Sequence, residues 1–300
     1  MSPGPRRSWG FMSFAQVGVC AATVENRRSA NTVWRKLLDR VMSGRERNDL
    51  GRSAMVFSPH PDDEALGCGG TIIRKLDQGA ELHIVYLTDG AQSHVPLMAS
   101  EQVREVRHEE ALDACRALGV SETHIHFIDM PDDHLAEHSQ KAIVRVRELL
   151  EMHRPEEVFV THRDEAPADH RAANLIVREA VKLNGSVTIV WEYPIWRWNS
   201  WPWVGPGKGA WHHPWAVTKA VWNGWPSLSL LTGCNVAVDV SKVLDRKRSA
   251  LEMYQSQMVR ANGDQRWDVL SDCADGRFLE MMFQPHEAFK RYTIPGERRF

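Results

Sequence analysis

Several things this chain lacks decide its class before anything it contains. Its five cysteines (Cys20, Cys68, Cys115, Cys234 and Cys273) include no C-x-x-C pair and are odd in number. That speaks against a disulfide frame and fits reduced thiols in a cytoplasm. No unbroken apolar run is long enough for a membrane span. The formal charge of −2 leaves no basic excess for a nucleic-acid surface. Gly67, Gly69 and Gly70 miss the G-x-G-x-x-G spacing, and two nearby aspartates would face the pyrophosphate, which excludes a dinucleotide site. There is no internal repeat.

What is present is a strand–helix alternation across most of the 300 residues. It predicts one large α/β domain: a Rossmann-like, mostly parallel sheet with helices on both faces. Ala54–Phe57, Glu81–Leu87, His124–Ile128, Val158–Thr161 and Val187–Trp191 read as strands. Helices are expected over Glu101–Leu118, stopped by Gly119, over Gln140–His153, and over Asn174–Lys182. Val236–Val240 reads as an edge strand, with Ser241 capping a helix from Lys242 to Met258. Residues 1–50 form a separate leader, and the domain proper is 51–300. In the leader, Pro5-Arg-Arg7 before the mildly apolar Trp9–Val24 is a poor secretory signal and reads better as a tail. Asn31–Met42 then reads as an amphipathic helix with Val33, Leu37 and Val41 on its apolar face. That face packs on the domain or grazes a membrane surface as a peripheral contact.

The most telling stretch is His60-Pro-Asp-Asp-Glu64, at the exit of the first strand. One imidazole and three carboxylates in five residues repel one another unless something positive gathers them, and a divalent cation does so. Pro61 disfavours helix at His60, and the chain can turn helical from Asp62 onward. His60 and Asp63 can then reach one ion while Asp62 points elsewhere. Two ligands plus a spare carboxylate suit metal-assisted hydrolysis, with the spare carboxylate as proton acceptor. A third ligand belongs at the C-terminal end of another strand. After Glu157–Val160 come His162 and His170, of which His170 is better placed because it opens a helix as Asp63 does. Asp129–His134 is a second acidic cluster at a strand end, read here as a loop capping the next helix rather than a substrate-facing wall.

Together these stretches resemble the LmbE-like, or PIG-L, family of metal-dependent de-N-acetylases. The first family signature lies at Pro59–Gly70 and the second at Asp169-His170-Arg171. Leu87-Thr-Asp-Gly90, Arg107 with Glu110-Ala111, and Tyr254-Gln-Ser-Gln257 are similar too. The resemblance implies His60, Asp63 and His170 as metal ligands, Zn2+ or another divalent ion such as Fe2+ as cofactor, and Asp62 as general base. It also implies Asp169 as a carboxylate orienting an imidazole, and Arg107 and Asp89 as substrate contacts. The expected activity is removal of acetyl from an N-acetylglucosamine-type sugar. An amidase on another N-acyl bond, or a metal-holding binding protein, is the alternative. One departure stands out: relatives carry a histidine three residues before the second metal histidine, and here that position is Pro167. His162 is the first choice to stand in as the acid, ahead of Asp164, Glu165, His286, His212 and His213; Asp62 shuttling the proton is the other route.

Nine of the 12 tryptophans fall between Trp191 and Trp225, among prolines and glycines. Their faces suit sugar rings, so this insertion, 191–225, reads as a wall of the acceptor pocket with Trp196 and Trp198 touching substrate. A satellite core, or a contact in a homo-oligomer, is the competing reading.

Overall fold

The computed structural model describes residues 31–94, 97–185, 188–204, 219, 222 and 225–294. The tail before residue 31 and most of 205–224, including His212 and His213, lie outside the described residues.

Seven strands form one sheet in the order β3-β2-β1-β4-β5-β7-β6. β1 (Ala54–Ser58), β2 (Leu82–Thr88), β3 (Ile125–Met130), β4 (Glu157–Thr161) and β5 (Thr188–Tyr193) run parallel. β7 (His286–Ile294) is antiparallel to both β5 and β6 (Val236–Asp239). The expected α/β architecture is therefore observed. β6 is indeed an edge, but β7, which sequence reading passed over, is inserted between it and β5. Every residue of β1, β2 and β4 is buried, as strands covered on both faces require. Side-chain alternation divides the core into two layers. Val56, Ile84, Tyr86, Phe159 and Trp191 face α2 (Asp63–Asp77) and α3 (Ser100–Leu118). Met55, Phe57, Val85, Val158 and Val190 face α4 (Ser139–His153) and α5 (Ala168–Asn184).

Because β2 and β3 lie to one side of β1, and β4 and β5 to the other, successive connections leave in opposite directions between β1 and β4. This is the topological switch point, where open α/β sheets leave a crevice at the strands' C-terminal ends. The loops after β1 and β4 both open into it.

α2 is bent at Cys68 (φ −146°, ψ 19°), amid Gly67, Gly69 and Gly70. Close approach explains two of these glycines: a Cβ on Gly67 would stand 2.2 Å from the Tyr193 ring, and one on Gly70 would stand 2.6 Å from Val240. The amides freed by the bend are answered by β7. Glu287 accepts from Gly70 N at 2.8 Å and from Thr71 N and Oγ1 at 2.7 and 2.6 Å. Lys247 Nζ, itself buried, completes the pair at 2.7 Å from Glu287 Oε1.

Two expected helices differ from the observed ones. α1 (Asn31–Ser43) exists, but its buried stripe is Leu38 and Met42 with Trp34 against the core, while Val33 is 70% and Leu37 41% exposed. Residues 33, 37, 41 and 34, 38, 42 share one helical spacing, and the larger side chains win the interface. The expected helix over Lys242–Met258 is broken. α6 covers Leu244–Leu251, and a separate turn of helix covers Gln255–Met258. Ser241 heads a 3-10 turn and caps nothing with its side chain. The break brings Tyr254 beneath the first loop, where its hydroxyl donates to Glu64.

Candidate metal centre and active site

The loop leaving β1 is locked from three sides. Ser58 Oγ donates to the His60 carbonyl at 2.7 Å and accepts from Glu64 N at 3.1 Å. Thr88, at the end of β2, donates to Pro59 O through its hydroxyl (2.8 Å) and its amide (3.0 Å). Gly90, at φ +63°, leaves room beside Pro61. Under these constraints Asp62 takes φ 121°, ψ −27°, outside the regions an L residue prefers, and makes no capping bond to the helix it precedes. Its side chain is thereby left to the crevice, 3.4 Å from Arg107 Nη2. Glu64, by contrast, is wholly buried and faces Tyr254.

His60, Asp63 and His170 converge, one donor atom from each lying within 4.8 Å of the others. His60 Nδ1 and His170 Nε2 each lie 3.2 Å from Asp63 Oδ2. Donors about 2.0–2.1 Å from a tetrahedral ion stand roughly 3.3 Å apart, so this set has the right spacing to bind one. The other nitrogen of His60 faces carboxylates: Nε2 is 3.1 Å from Asp132 Oδ1 and 3.6 Å from Asp169 Oδ2. A proton on Nε2 directed at Asp132 leaves the Nδ1 lone pair for a cation, the arrangement that orients metal-ligating histidines. Asp169 also accepts from Asp133 N (2.9 Å) and Leu135 N (3.2 Å), tying the loop after β3 to the start of α5. On His170, Nδ1 is buried without a hydrogen-bond partner among the described residues, 3.7 Å from Glu165 Oε2.

The electrostatics show the same demand for positive charge. Burial alone would depress His60, yet hydrogen bonds to Asp132, Asp169 and Asp63 hold it well above the usual imidazole range. Burial would raise Asp63 and Asp132, but the imidazoles beside them pull both below the usual carboxylate range, Asp132 to about 2. A cation bound in this cradle would meet the same demand. The donors are one carboxylate and two imidazoles, a set that suits zinc or another first-row divalent ion.

Asp62 is pushed up to about 6 by burial, with the Arg107 guanidinium pulling the other way. Arg107 is itself buried and donates to Pro61 O, while its Nε and Nη1 have no hydrogen-bond partner among the described residues. Both residues line a cavity of about 350 Å³ over the cradle. His60, Asp63, His170, Pro167, Trp196 and His94 line it as well.

Three predicted site residues are placed elsewhere. His162 does not line the cavity. Its Nδ1 accepts from Asp164 N at 3.1 Å and its Nε2 lies 3.8 Å from Glu192, with burial pushing it down to about 4. His286, a lesser candidate, is also remote and pairs with Asp39 and Glu46. Asp89 braces the loop after β2, accepting from Ala91 N and Asp132 N, both at 3.2 Å. Trp198 is buried edge-on against Trp203, away from the cavity, and Trp191 is packed under Phe289. Trp196 does reach the cavity wall, stacked on Phe278 at 4.9 Å. Among the described tryptophans of this stretch, Trp191, Trp198 and Trp203 are thus part of the hydrophobic core, Trp222 and Trp225 are exposed, and Trp196 lines the cavity.

Two residues were missed. Asp132 sits in the cluster read as a helix-capping loop; its place at a strand end beside the switch point was the available signal. His94 had none, because it follows β2 in a loop with no pattern. It stacks on Trp267 at 3.9 Å, and its Nε2 is bonded to Asp268 O at 3.1 Å.

The site is thus an acid-rich cradle able to hold a divalent ion, at the switch point of a parallel sheet and beside a further carboxylate. Residues 55–181 match the family model for PIG-L, GlcNAc-PI de-N-acetylase. It is 33% identical over 142 residues to diacetylchitobiose deacetylase of Thermococcus kodakarensis, covering 46% of this chain and 52% of that protein. It is 29% identical over 146 residues to 4-oxalmesaconate hydratase of Pseudomonas putida, covering 46% and 55% respectively. In both cases the chain spans about half the relative's length. In structure it is similar to N,N'-diacetylchitobiose deacetylase from Pyrococcus horikoshii, with a TM-score of 0.60 and 20% identity over 91% of this chain and 95% of that one, which shows the shared fold.

Proposed function

We propose that this protein is a metal-dependent N-deacetylase that removes acetyl from an N-acetylglucosamine-type amino sugar, with Zn2+ as the preferred ion and Fe2+ the alternative. The reading is carried by one observation: two imidazole nitrogens meet the same oxygen of Asp63 while Asp62, the residue before it, caps no helix and turns to the cavity wall beside Arg107. A divalent ion held by His60, Asp63 and His170 would supply Lewis acidity to an amide carbonyl and make water a better nucleophile.

The residues of the chain account for the rest. Asp62 accepts the proton of the attacking water, and a carboxylate lifted to about 6 is a better base at neutral pH than an ordinary aspartate. Arg107 keeps Asp62 oriented and offers its two unpartnered N–H groups to substrate oxygen. Asp132 fixes the His60 ring, and Trp196 presents an aromatic face to a sugar ring. The departing amine takes its proton from Asp62 or from His94, since Pro167 cannot supply one.

The test is acetate release from a panel of N-acetyl sugars and N-acyl thiol conjugates, with and without chelator. Chelator-sensitive release from N-acetylglucosamine compounds is expected. Release only from other N-acyl bonds would move the substrate class. Metal binding with no release, or hydration of an unsaturated acid instead, would overturn the proposal.

A further inference from the structure

At the opposite end of the sheet four imidazoles are packed together. His83 lies near the start of β2, His126 near the start of β3, His124 in the turn before β3, and His153 at the last position of α4. Strand alternation puts His83 on the same face as Val85, and Val85 pairs with His126, so both rings point toward α4. Ring centroids separate His83 from His153 by 4.0 Å, from His124 by 4.3 Å and from His126 by 5.3 Å. We propose that His83, His126 and His153 form a second metal site, for a late first-row divalent ion of the zinc type, independent of the cradle at the switch point.

Four observations carry this. Donor atoms of the three rings lie within 4.8 Å of one another, and His83 Nδ1 and His126 Nε2 are 3.1 Å apart, close to the edge of a tetrahedral ligand set. Glu81 Oε1 takes the other nitrogen of His83 at 3.2 Å, which places the proton on Nε2 and turns the Nδ1 lone pair into the cluster. His153 Nε2 is buried and has no hydrogen-bond partner among the described residues. Finally, the His153 ring centroid stands 4.0 Å from that of His83 and 5.1 Å from that of His126, so the end of α4 is packed directly on both strand rings.

Imidazoles without a direct carboxylate select zinc, nickel or copper over magnesium or calcium. His124, which groups with Glu81 and His83, is the candidate fourth ligand. Closing the set needs at most about 1.5 Å of adjustment to reach tetrahedral spacing. An ion there would tie the end of α4 to the starts of two strands, a structural duty rather than a catalytic one.

The experiment uses the full chain, stripped with chelator and titrated with Co2+, whose visible absorption reports low-coordinate nitrogen ligation. Two equivalents per chain are expected in the unsubstituted protein. One should remain in the His60→Ala, His170→Ala double variant, and that one should be lost on adding His126→Phe. His153→Ala alone should likewise cut the unsubstituted count from two to one, which keeps the test sound if the multiple variant fails to fold. A single equivalent in the unsubstituted protein overturns the site. So does a second equivalent that survives both His126→Phe and His153→Ala.

Discussion

The two ends of one parallel sheet gather histidines in different company. At the C-terminal end, His60 and His170 stand among Asp62, Asp63, Asp132, Asp169 and Glu165, in a crevice opened by the switch point. At the N-terminal end, roughly 20 Å away along β2, His83, His126, His124 and His153 stack on one another with Glu81 alone beside them. The first group is short of positive charge and has a cavity in front of it. The second has one described carboxylate beside it and is packed under a helix end. Histidine content says little about chemistry here; the number of carboxylates, and whether the backbone opens beside them, separates a reactive cradle from an adhesive one.

That contrast can be broken in several places. The largest effect should come from His60→Ala or His170→Ala, which are expected to lose the ion of the cradle and at least about 10³-fold of deacetylation, read by metal analysis and acetate release. Asp62→Asn should keep its metal content while turnover falls by roughly 10²–10⁴; near-normal turnover would remove Asp62 from the base role. His94→Ala should slow turnover by about tenfold or more, whereas His162→Ala should leave it within about twofold, because only His94 lines the cavity. Equal losses from the two would return the acid role to the loop after β4.

The smaller effects concern stability. Leu38→Ala should cost about 2–4 kcal/mol in urea unfolding and Leu37→Ala less than about 0.5 kcal/mol, which distinguishes the buried stripe of α1 from the exposed one. At the N-terminal cluster, His126 is held at about 4 in the folded chain against 6.5 when free. Between these values the unfolded chain binds more protons, so this contribution to stability is complete above about pH 6.5 and declines as the pH falls toward 4. Because the ring is half-exposed, the effect should stay near or below about 1 kcal/mol. His126→Phe should flatten that part of the chelated protein's stability–pH profile, and an unchanged slope would show that the rings titrate normally.

The parallel half of the fold was legible because its strands are mostly apolar runs, separated by helices with clear stops such as Gly119. The three residues of the candidate metal cradle drew notice because prolines, acids and histidines crowd at two strand ends, and the fold brings them together. What was hidden depended on tertiary contacts. β7 runs polar and apolar residues in pairs with no strict alternation, and it is a strand because Phe289 packs on Trp191 while Glu287 answers the bent helix. Asp132 joins the site only because β3 lies two strands from β1 on the same side of the switch point. In α1, spacing left two equivalent stripes, and contact with β6 and β7 chose between them. The tryptophans suggested sugar binding by type alone, and most of those described are occupied with one another.

The backbone at Asp62 has a consequence of its own. An L residue at φ 121° occupies a conformation costing on the order of 1–3 kcal/mol, and a residue without a Cβ would occupy it at far lower cost. Asp62→Gly should therefore melt at a higher temperature than the native chain while hydrolysing nothing. The folded state tolerates a local discomfort at the residue proposed as the base, and a screen for heat resistance alone would select it away.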